Sequence, residues 1–314
     1  MPTPPPPFSL RYTPQVPELL HNIGATLALS TYQAGKLVLI SAKDEGSLTQ
    51  LPRNFERAMG VAERPETGQL AIACRNEVLL FRDSAELASH YPKAPGQYDA
   101  MYMPRAAFYT GGLDLHDLHF DAEGRLLAVN TLFSCIVEVD AMWNFKPVWQ
   151  PSFIDRIAGE DRCHLNGLAM EDGRPRYATA FSTDNVAGGW RRDVMQTGVV
   201  IDIERNEVLA EGLAMPHSPT IIGGDLYVLL SGTGEMVRVD RATGATEVVV
   251  SLGAFALLSA WLFDRITLGP LFKGRDRSFV QGSTVLLAVV ALMAWQILGL
   301  GWTSDLDNGL NALR

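Results

Sequence analysis

The segment DRCHLNGLAMEDGRPRY, residues 161–177, places one cysteine, one histidine, one asparagine and three carboxylates within seventeen positions. Such a group could be a metal site, a nucleophile with its base, or one unit of a structural repeat. Cys163 and His164 are adjacent, so on a strand their side chains point to opposite faces and do not form a nucleophile–base pair. The same parity separates His116 from His119, which makes HDLH a poor metal chelate on a strand.

Four segments of the chain share one pattern and begin at Met59, His116, Asn166 and His217, which are 57, 50 and 51 residues apart. Each runs as a short apolar-alternating strand, a glycine turn, a second strand and a polar corner, and usually a third strand. This pattern predicts antiparallel hairpins. The N-terminal string LALSTYQAGKLVLIS matches only the second and third strands of a unit. Repeats of about 50 residues with three or four strands predict a β-propeller.

Propeller ligands usually bind where inner strands begin around the central channel. The predicted ligand-binding positions there are His116, Asp117, Asn166, His217 and Ser218. Two imidazoles and an amide could bind a cation or a polar small molecule. Alternatively, these side chains cap strand ends and bond to backbone or channel water. Trp190 lies between repeats and is assigned to packing.

Five strings together resemble a bacterial family known as a conserved hypothetical β-propeller domain. They are STYQAGKL at 30–37, NFERAMG at 54–60, NTLFSC at 130–135, EDRCHLNGLAMEDGRPRY at 160–177 and MPHSP at 215–219. The resemblance covers about residues 8–247, and it implies a propeller without an established activity. The family's propeller continues past the fourth repeat. The resemblance therefore implies an incomplete all-β propeller in this chain, with about five of an expected six or so blades.

More distantly, NGLAM resembles the inner-strand motif of gluconolactonase and strictosidine-synthase-like propellers. In the lactonases an asparagine at this point helps to hold a divalent cation. That role carries over to Asn166 alone, as the best single metal ligand. The other ligands of the lactonase site have no clear counterparts in this sequence.

The composition excludes some partners and changes sharply near residue 248. The net charge is −9 and no basic cluster occurs in the first 240 residues, so nucleic acid is not an expected partner. Three cysteines without CxxC spacing favour a reduced compartment. Residues 278–302 contain no charge for 25 positions, which predicts a transmembrane helix over 283–302. Residues 248–263 form a shorter apolar run that could be a second span.

These observations divide the chain into three predicted parts. Residues 1–20 form a proline-rich, poorly ordered leader, residues 21–247 the propeller, and residues 248–314 a membrane segment. Basic residues between the two apolar runs place that loop in the cytoplasm by the positive-inside tendency. With one span, the propeller lies on the cytoplasmic side of the bacterial inner membrane. With two spans, it lies outside.

Three functions remain open from the sequence. The first is a membrane-anchored binding module for a small molecule or a protein partner, because no complete catalytic constellation is present. The second is a metal-dependent hydrolase of lactonase or esterase type, in which a cation at Asn166 would activate water. The third is a gene fusion without a stable function of its own.

Overall fold

The computed structural model describes residue 10 and residues 12–251, which form an all-β propeller of five blades. The chain opens with helix α1 (Gln15–Ile23), and the first sheet follows with β1 (Thr26–Thr31), β2 (Lys36–Asp44) and β3 (Ser47–Asn54). The second sheet contains β4 (Val61–Arg64), β5 (Gln69–Ala73), β6 (Glu77–Asp83) and β7 (Tyr102–Tyr109), with the short helix α2 (Ala85–Ala88) before β7.

The remaining three sheets repeat the four-stranded pattern. The third contains β8 (Leu115–Phe120), β9 (Leu126–Asn130), β10 (Cys135–Val139) and β11 (Lys146–Trp149). The fourth contains β12 (Leu165–Glu171), β13 (Arg174–Ala180), β14 (Gly198–Asp202) and β15 (Glu207–Leu213), with a 3₁₀ turn at Gly189–Arg192. The fifth contains β16 (Pro216–Ile222), β17 (Asp225–Leu230), β18 (Glu235–Val239) and β19 (Thr246–Ser251).

Each sheet is an antiparallel meander with its strands in chain order. The predicted glycine turns between first and second strands are present, and Gly68, Gly124, Gly173 and Gly224 all have positive φ angles. Glycine is favoured there because a side chain is strained in this backbone region. The first sheet has three strands, so the prediction of four whole repeats and a partial one is confirmed.

The core lies between neighbouring sheets. One apolar cluster fills each of the four junctions along the chain, from sheets one and two to sheets four and five. Strand β9 is buried at every position, because it is covered on both faces, whereas the outer strand β19 is largely exposed. This gradient from inner to outer strands holds the inner strands in fixed positions.

A fifth cluster joins the two ends of the described chain. Val16 and Leu20 of α1 pack with Leu29 and Val38 of the first sheet, and Leu229 of β17 packs against the same group. The first and last sheets thus approach through α1, and no strand pairing joins them within residues 12–251. The predicted leader is corrected here: residues 15–20 belong to a packed helix, because Val16 and Leu20 give it an apolar face.

The predicted boundary at residue 248 also needs correction. Strand β19 continues to Ser251, because Val248 and Val250 pair with β18. The first four residues of the 248–263 run are therefore part of the last sheet. Its other residues and the predicted span 283–302 lie outside the described residues. Among those that are described, no helix is long and apolar enough to cross a membrane.

Candidate functional site

The inner strands of the third, fourth and fifth sheets begin in the same way. The residue directly before each strand is Asp114, His164 or Met215, with φ angles of 53°, 53° and 50°. This left-handed conformation is uncommon for residues other than glycine. The strand then begins, and its second residue is the predicted ligand position His116, Asn166 or His217. The three candidates therefore occupy equivalent places in successive blades.

Each of these strands also carries a register shift at the candidate residues. The pairing breaks between Leu115 and Leu118 in β8, between Leu165 and Gly167 in β12, and between His217 and Thr220 in β16. A bulge turns side chains away from the regular alternation of a strand. The simple parity used in the sequence analysis does not apply at these positions.

His116 and His217 make matching hydrogen bonds. His116 Nδ1 lies 3.0 Å from the Asp114 carbonyl oxygen and 2.7 Å from Thr131 Oγ1. His217 Nδ1 lies 2.9 Å from the Met215 carbonyl oxygen and 3.1 Å from Ser231 Oγ. A carbonyl oxygen can only accept, so Nδ1 carries the proton in both rings. In the neutral imidazole, Nε2 is then the accepting nitrogen.

Five side-chain rings from the third, fourth and fifth blades form one group, which we call the ring cluster: His116, His164, Phe181, Trp190 and His217. His164 is its centre, with ring centroids 4.9 Å from His116, 4.6 Å from Phe181 and 4.2 Å from Trp190. Phe181 continues the chain of contacts to His217 at 4.9 Å. The three histidines and Phe181 are buried. His116 and His217 are thus brought into one cluster, with other rings between them.

Asp161 holds one side of the ring cluster. Its carboxylate oxygens lie 3.1 and 3.2 Å from His164 Nδ1, and Oδ2 accepts a hydrogen bond from Trp190 Nε1 at 2.7 Å. Burial alone would raise the pKa of Asp161, but the His164 and Trp190 hydrogen bonds lower that pKa below its usual range. Arg191 stacks on the Trp190 ring at 4.2 Å, and its side chain is largely exposed. The cluster therefore reaches the surface beside Arg191.

Asn166 lies two residues after His164 and is buried. Its Oδ1 accepts a hydrogen bond from Thr179 Oγ1 at 2.7 Å, and its Nδ2 has no partner among the described residues. No group of three or more histidine, cysteine or acidic side chains in residues 12–251 could hold a metal ion. The donor set around Asn166 therefore does not fit the cation site that the lactonase resemblance implies.

Asp117 and Ser218 are not part of the ring cluster. Asp117 Oδ2 accepts a hydrogen bond from Leu168 N at 3.0 Å, which ties β8 to β12, and lies 3.3 Å from His119 Nε2. Burial lowers the pKa of His119, but attraction to the Asp117 carboxylate outweighs it and raises that pKa above its usual value. Ser218 has a φ angle of 48° within the β16 bulge. Asp117 is therefore an inter-blade link, and Ser218 shapes a strand.

The three cysteines are free and buried within the described chain. Burial raises the pKa of each thiol to about 12. Cys163 packs in the core between the third and fourth sheets, while the adjacent His164 lies in the ring cluster. Cys163 and His164 therefore do not form a nucleophile–base pair, although the reason is their different surroundings before β12 and not the strand alternation used in the sequence analysis.

The sequence of this chain matches the model of one protein family. The model of a domain of unknown function, DUF4915, matches residues 14–265. The chain belongs to the DUF4915 family. Comparison with functionally curated proteins gives no significant match. This match covers all five sheets of the described chain and continues past residue 247.

Solved structures similar to this DUF4915 chain are also propellers. The aldose sugar dehydrogenase of Streptomyces coelicolor, in its PQQ-bound form, is 13% identical with a TM-score of 0.46, and the match covers 73% of this chain and 79% of that one. Virginiamycin B lyase from Staphylococcus aureus is 14% identical with a TM-score of 0.39, and the match covers 69% of this chain and 63% of the lyase. These likenesses concern the fold alone.

Proposed function

We propose that this DUF4915 propeller is a binding module for a small hydroxylated molecule at the ring cluster. The observation that carries the proposal is the buried amide donor of Asn166, which has no partner among the described residues and lies at the position equivalent to His116 and His217. Buried donors are nearly always satisfied, by protein, water or a ligand. Asn130 has a second such Nδ2, at the end of β9 beside Thr131.

The chemistry of these groups selects the ligand class. The amide nitrogens of Asn166 and Asn130 donate hydrogen bonds, so the ligand must present accepting oxygens to them. A ligand rich in hydroxyl groups offers several such oxygens.

The experiment is histidine-ring NMR of the full chain during titration with glucose, sorbitol and δ-gluconolactone. We expect at least one compound to shift the ring signals of His116, His164 and His217. His21 on α1 and His90 after α2 are exposed and remote in sequence, and they serve as internal controls. Equal shifts at all six histidines, or none with any compound, would contradict the proposal.

A pair of variants tests the role of the amide. Asn166→Leu keeps the side-chain size and removes the donor, so affinity for the active compound should fall about tenfold or more. Asn22→Leu, on the exposed side of α1, is the matched control and should leave affinity unchanged. Equal affinity in both variants would remove Asn166 from the site.

We also propose that residues 283–302 anchor the chain in a membrane, with the propeller on the cytoplasmic side. The support is the 25-residue uncharged segment of residues 278–302. Cell fractionation tests this: the full chain should sediment with membranes, and a chain ending at residue 265 should not.

A further inference from the structure

The fourth sheet has a much longer corner between its second and third strands than the sheets beside it. In sheets two, three and five this corner consists of residues 74–76, 131–134 and 231–234, whereas in sheet four it spans residues 181–197. A tight turn is sufficient to join two neighbouring antiparallel strands, and long ordered connections often serve as lids over binding sites. We call residues 183–192 of the long corner the strap.

The strap lies on the ring cluster through the side chain of Trp190. The Trp190 ring is 4.2 Å from the His164 ring and 5.3 Å from the Phe181 ring, measured between centroids. His164 and Phe181 are buried, whereas most residues of the strap are exposed or half-buried. Trp190 therefore joins two buried rings to a segment that lies at the surface.

The middle of the strap is held by the segment before β12. Gly188 N donates a hydrogen bond to the Glu160 carbonyl oxygen at 3.0 Å. Trp190 N donates to the Arg162 carbonyl oxygen at 3.4 Å, and Trp190 Nε1 donates to Asp161 Oδ2 at 2.7 Å. The bond to Asp161 is the strongest of the three, because its acceptor is a charged carboxylate.

The same segment also holds the start of the strap. Asn185 Oδ1 accepts hydrogen bonds from Asp155 N at 3.2 Å and from the Arg162 guanidinium at 2.7 Å. The strap is thus attached to one side of the ring cluster by a small set of polar contacts.

The two ends of the corner are fixed independently of these contacts. Thr197 Oγ1 lies 2.8 Å from the Phe181 carbonyl oxygen and 2.7 Å from that of Asp193, so it ties the two ends together. Met215 N donates to the Val194 carbonyl oxygen at 3.1 Å, which ties the second end to the start of β16. The strap can therefore leave the segment before β12 while the strands on either side stay in place.

We propose that the strap is a lid, which opens as one unit and admits a ligand to the ring cluster. Within the strap, Gly189 N donates to the Val186 carbonyl oxygen at 3.0 Å. Arg191 N donates to the Gly188 carbonyl oxygen at 3.3 Å, so the strap has bonds of its own that opening does not break. Opening leaves the five sheets paired and needs less free energy than unfolding. Entry of a ligand rests on the binding site proposed above, whereas the opening itself does not.

Hydrogen exchange in the full chain tests the lid at single amides. The Gly188 and Trp190 amides are bonded to the segment before β12, whereas Ala178 lies in β13 between two paired strands. We expect the strap amides to exchange faster than Ala178 and to depend less on urea below the unfolding transition, because a local opening exposes little surface. Equal rates with equal urea dependence would overturn the proposal, since the strap would then open only when the whole protein unfolds.

Trp190→Phe keeps an aromatic ring on the ring cluster and removes the hydrogen bond to Asp161. Exchange at the Gly188 amide should therefore rise about tenfold or more, while exchange at Ala178 stays the same. Trp143→Phe, at a residue that is 66% exposed between β10 and β11, is the matched control and should change neither rate. An unchanged Gly188 rate in Trp190→Phe would contradict the lid. If that variant fails to fold, the urea dependence of the wild type decides.

The compound that shifts the histidine signals also tests entry. Its association rate constant should rise in Trp190→Phe by the same factor as the Gly188 exchange rate, because only the open state admits it. An unchanged association rate with faster exchange would exclude entry through the lid. If no compound binds but the strap opens locally, the binding proposal and the entry route both fail, and only the local opening stands.

Discussion

The first sheet and the three sheets that form the site bury their apolar faces in different ways. Sheets three to five each begin with a left-handed residue and an inner strand, and each delivers His116, Asn166 or His217 to the same end of the propeller. The first sheet has no inner strand among the described residues, and α1 covers one of its faces. A helix can therefore replace a strand for burial, but it contributes no residue to the site.

The first sheet and the site region differ in the kind of packing that holds them. At the first sheet, the contacts that matter are apolar and come from Leu20 and Val16. At the junction of the fourth and fifth sheets, the strands approach so closely that Gly167 has no space for a side chain. Variants at each place should show different effects, and the largest is expected at α1.

Leu20→Ala should destabilise the protein by about 2–5 kcal/mol, because it leaves a cavity where α1 joins the first and last sheets. Leu87→Ala in α2, where the side chain is 56% exposed, should cost less than about 0.5 kcal/mol. Urea denaturation measures both. If the two variants are equally stable, packing of α1 against the first sheet does not contribute to the stability of the protein.

Gly167→Ala should cost about 1–3 kcal/mol through overpacking. A Cβ atom there would lie 2.5 Å from Pro219 Cδ and 2.6 Å from Thr179 Oγ1. Gly46→Ala in the β2–β3 turn is the matched control, because its Cβ would meet only Asp44 Oδ1, at 3.6 Å. Thermal unfolding of both variants measures the difference, and a tolerated Gly167→Ala would show that β12 and β16 are less tightly packed.

The smallest effect concerns the interaction of His119 with Asp117, which lies within β8. The His119 pKa is raised in the folded chain, so the stabilisation is complete below the unfolded value of about 6.5 and is lost as pH rises through the folded value. The contribution should be below about 1 kcal/mol, since His119 is partly exposed. Denaturation at pH 5.5–8.5 should show this decline in the wild type and not in His119→Gln. Parallel pH curves for the two proteins would contradict a stabilising His119–Asp117 interaction.

The repeat could be predicted from the sequence because the glycine turns and apolar alternation recur with each blade. The helix α1 was missed because prolines dominate residues 1–20, although Pro17 lies in the first turn, where proline is tolerated. The end of β19 was missed because Val248 to Val250 read equally well as the start of an apolar helix.

Part of the site could not be predicted for a different reason. His116 and His217 follow from their position in the repeat, but Asp161, Phe181 and Trp190 come from loops whose approach no spacing encodes. The pattern also placed His164 inside a regular strand, whereas β12 begins at Leu165 and His164 has a left-handed backbone. A strained backbone is a property of the folded chain, and residue types alone do not reveal it.

The positions of the three cysteines give this chain a built-in set of kinetic reporters. Cys74, Cys135 and Cys163 lie in the first, second and third junctions between sheets, one in each. Because each thiol is buried and has a pKa of about 12, it can react with an alkylating reagent only when its own junction opens. Labelling rates read by mass spectrometry would therefore rank the opening of three adjacent blade junctions in a single unmodified protein.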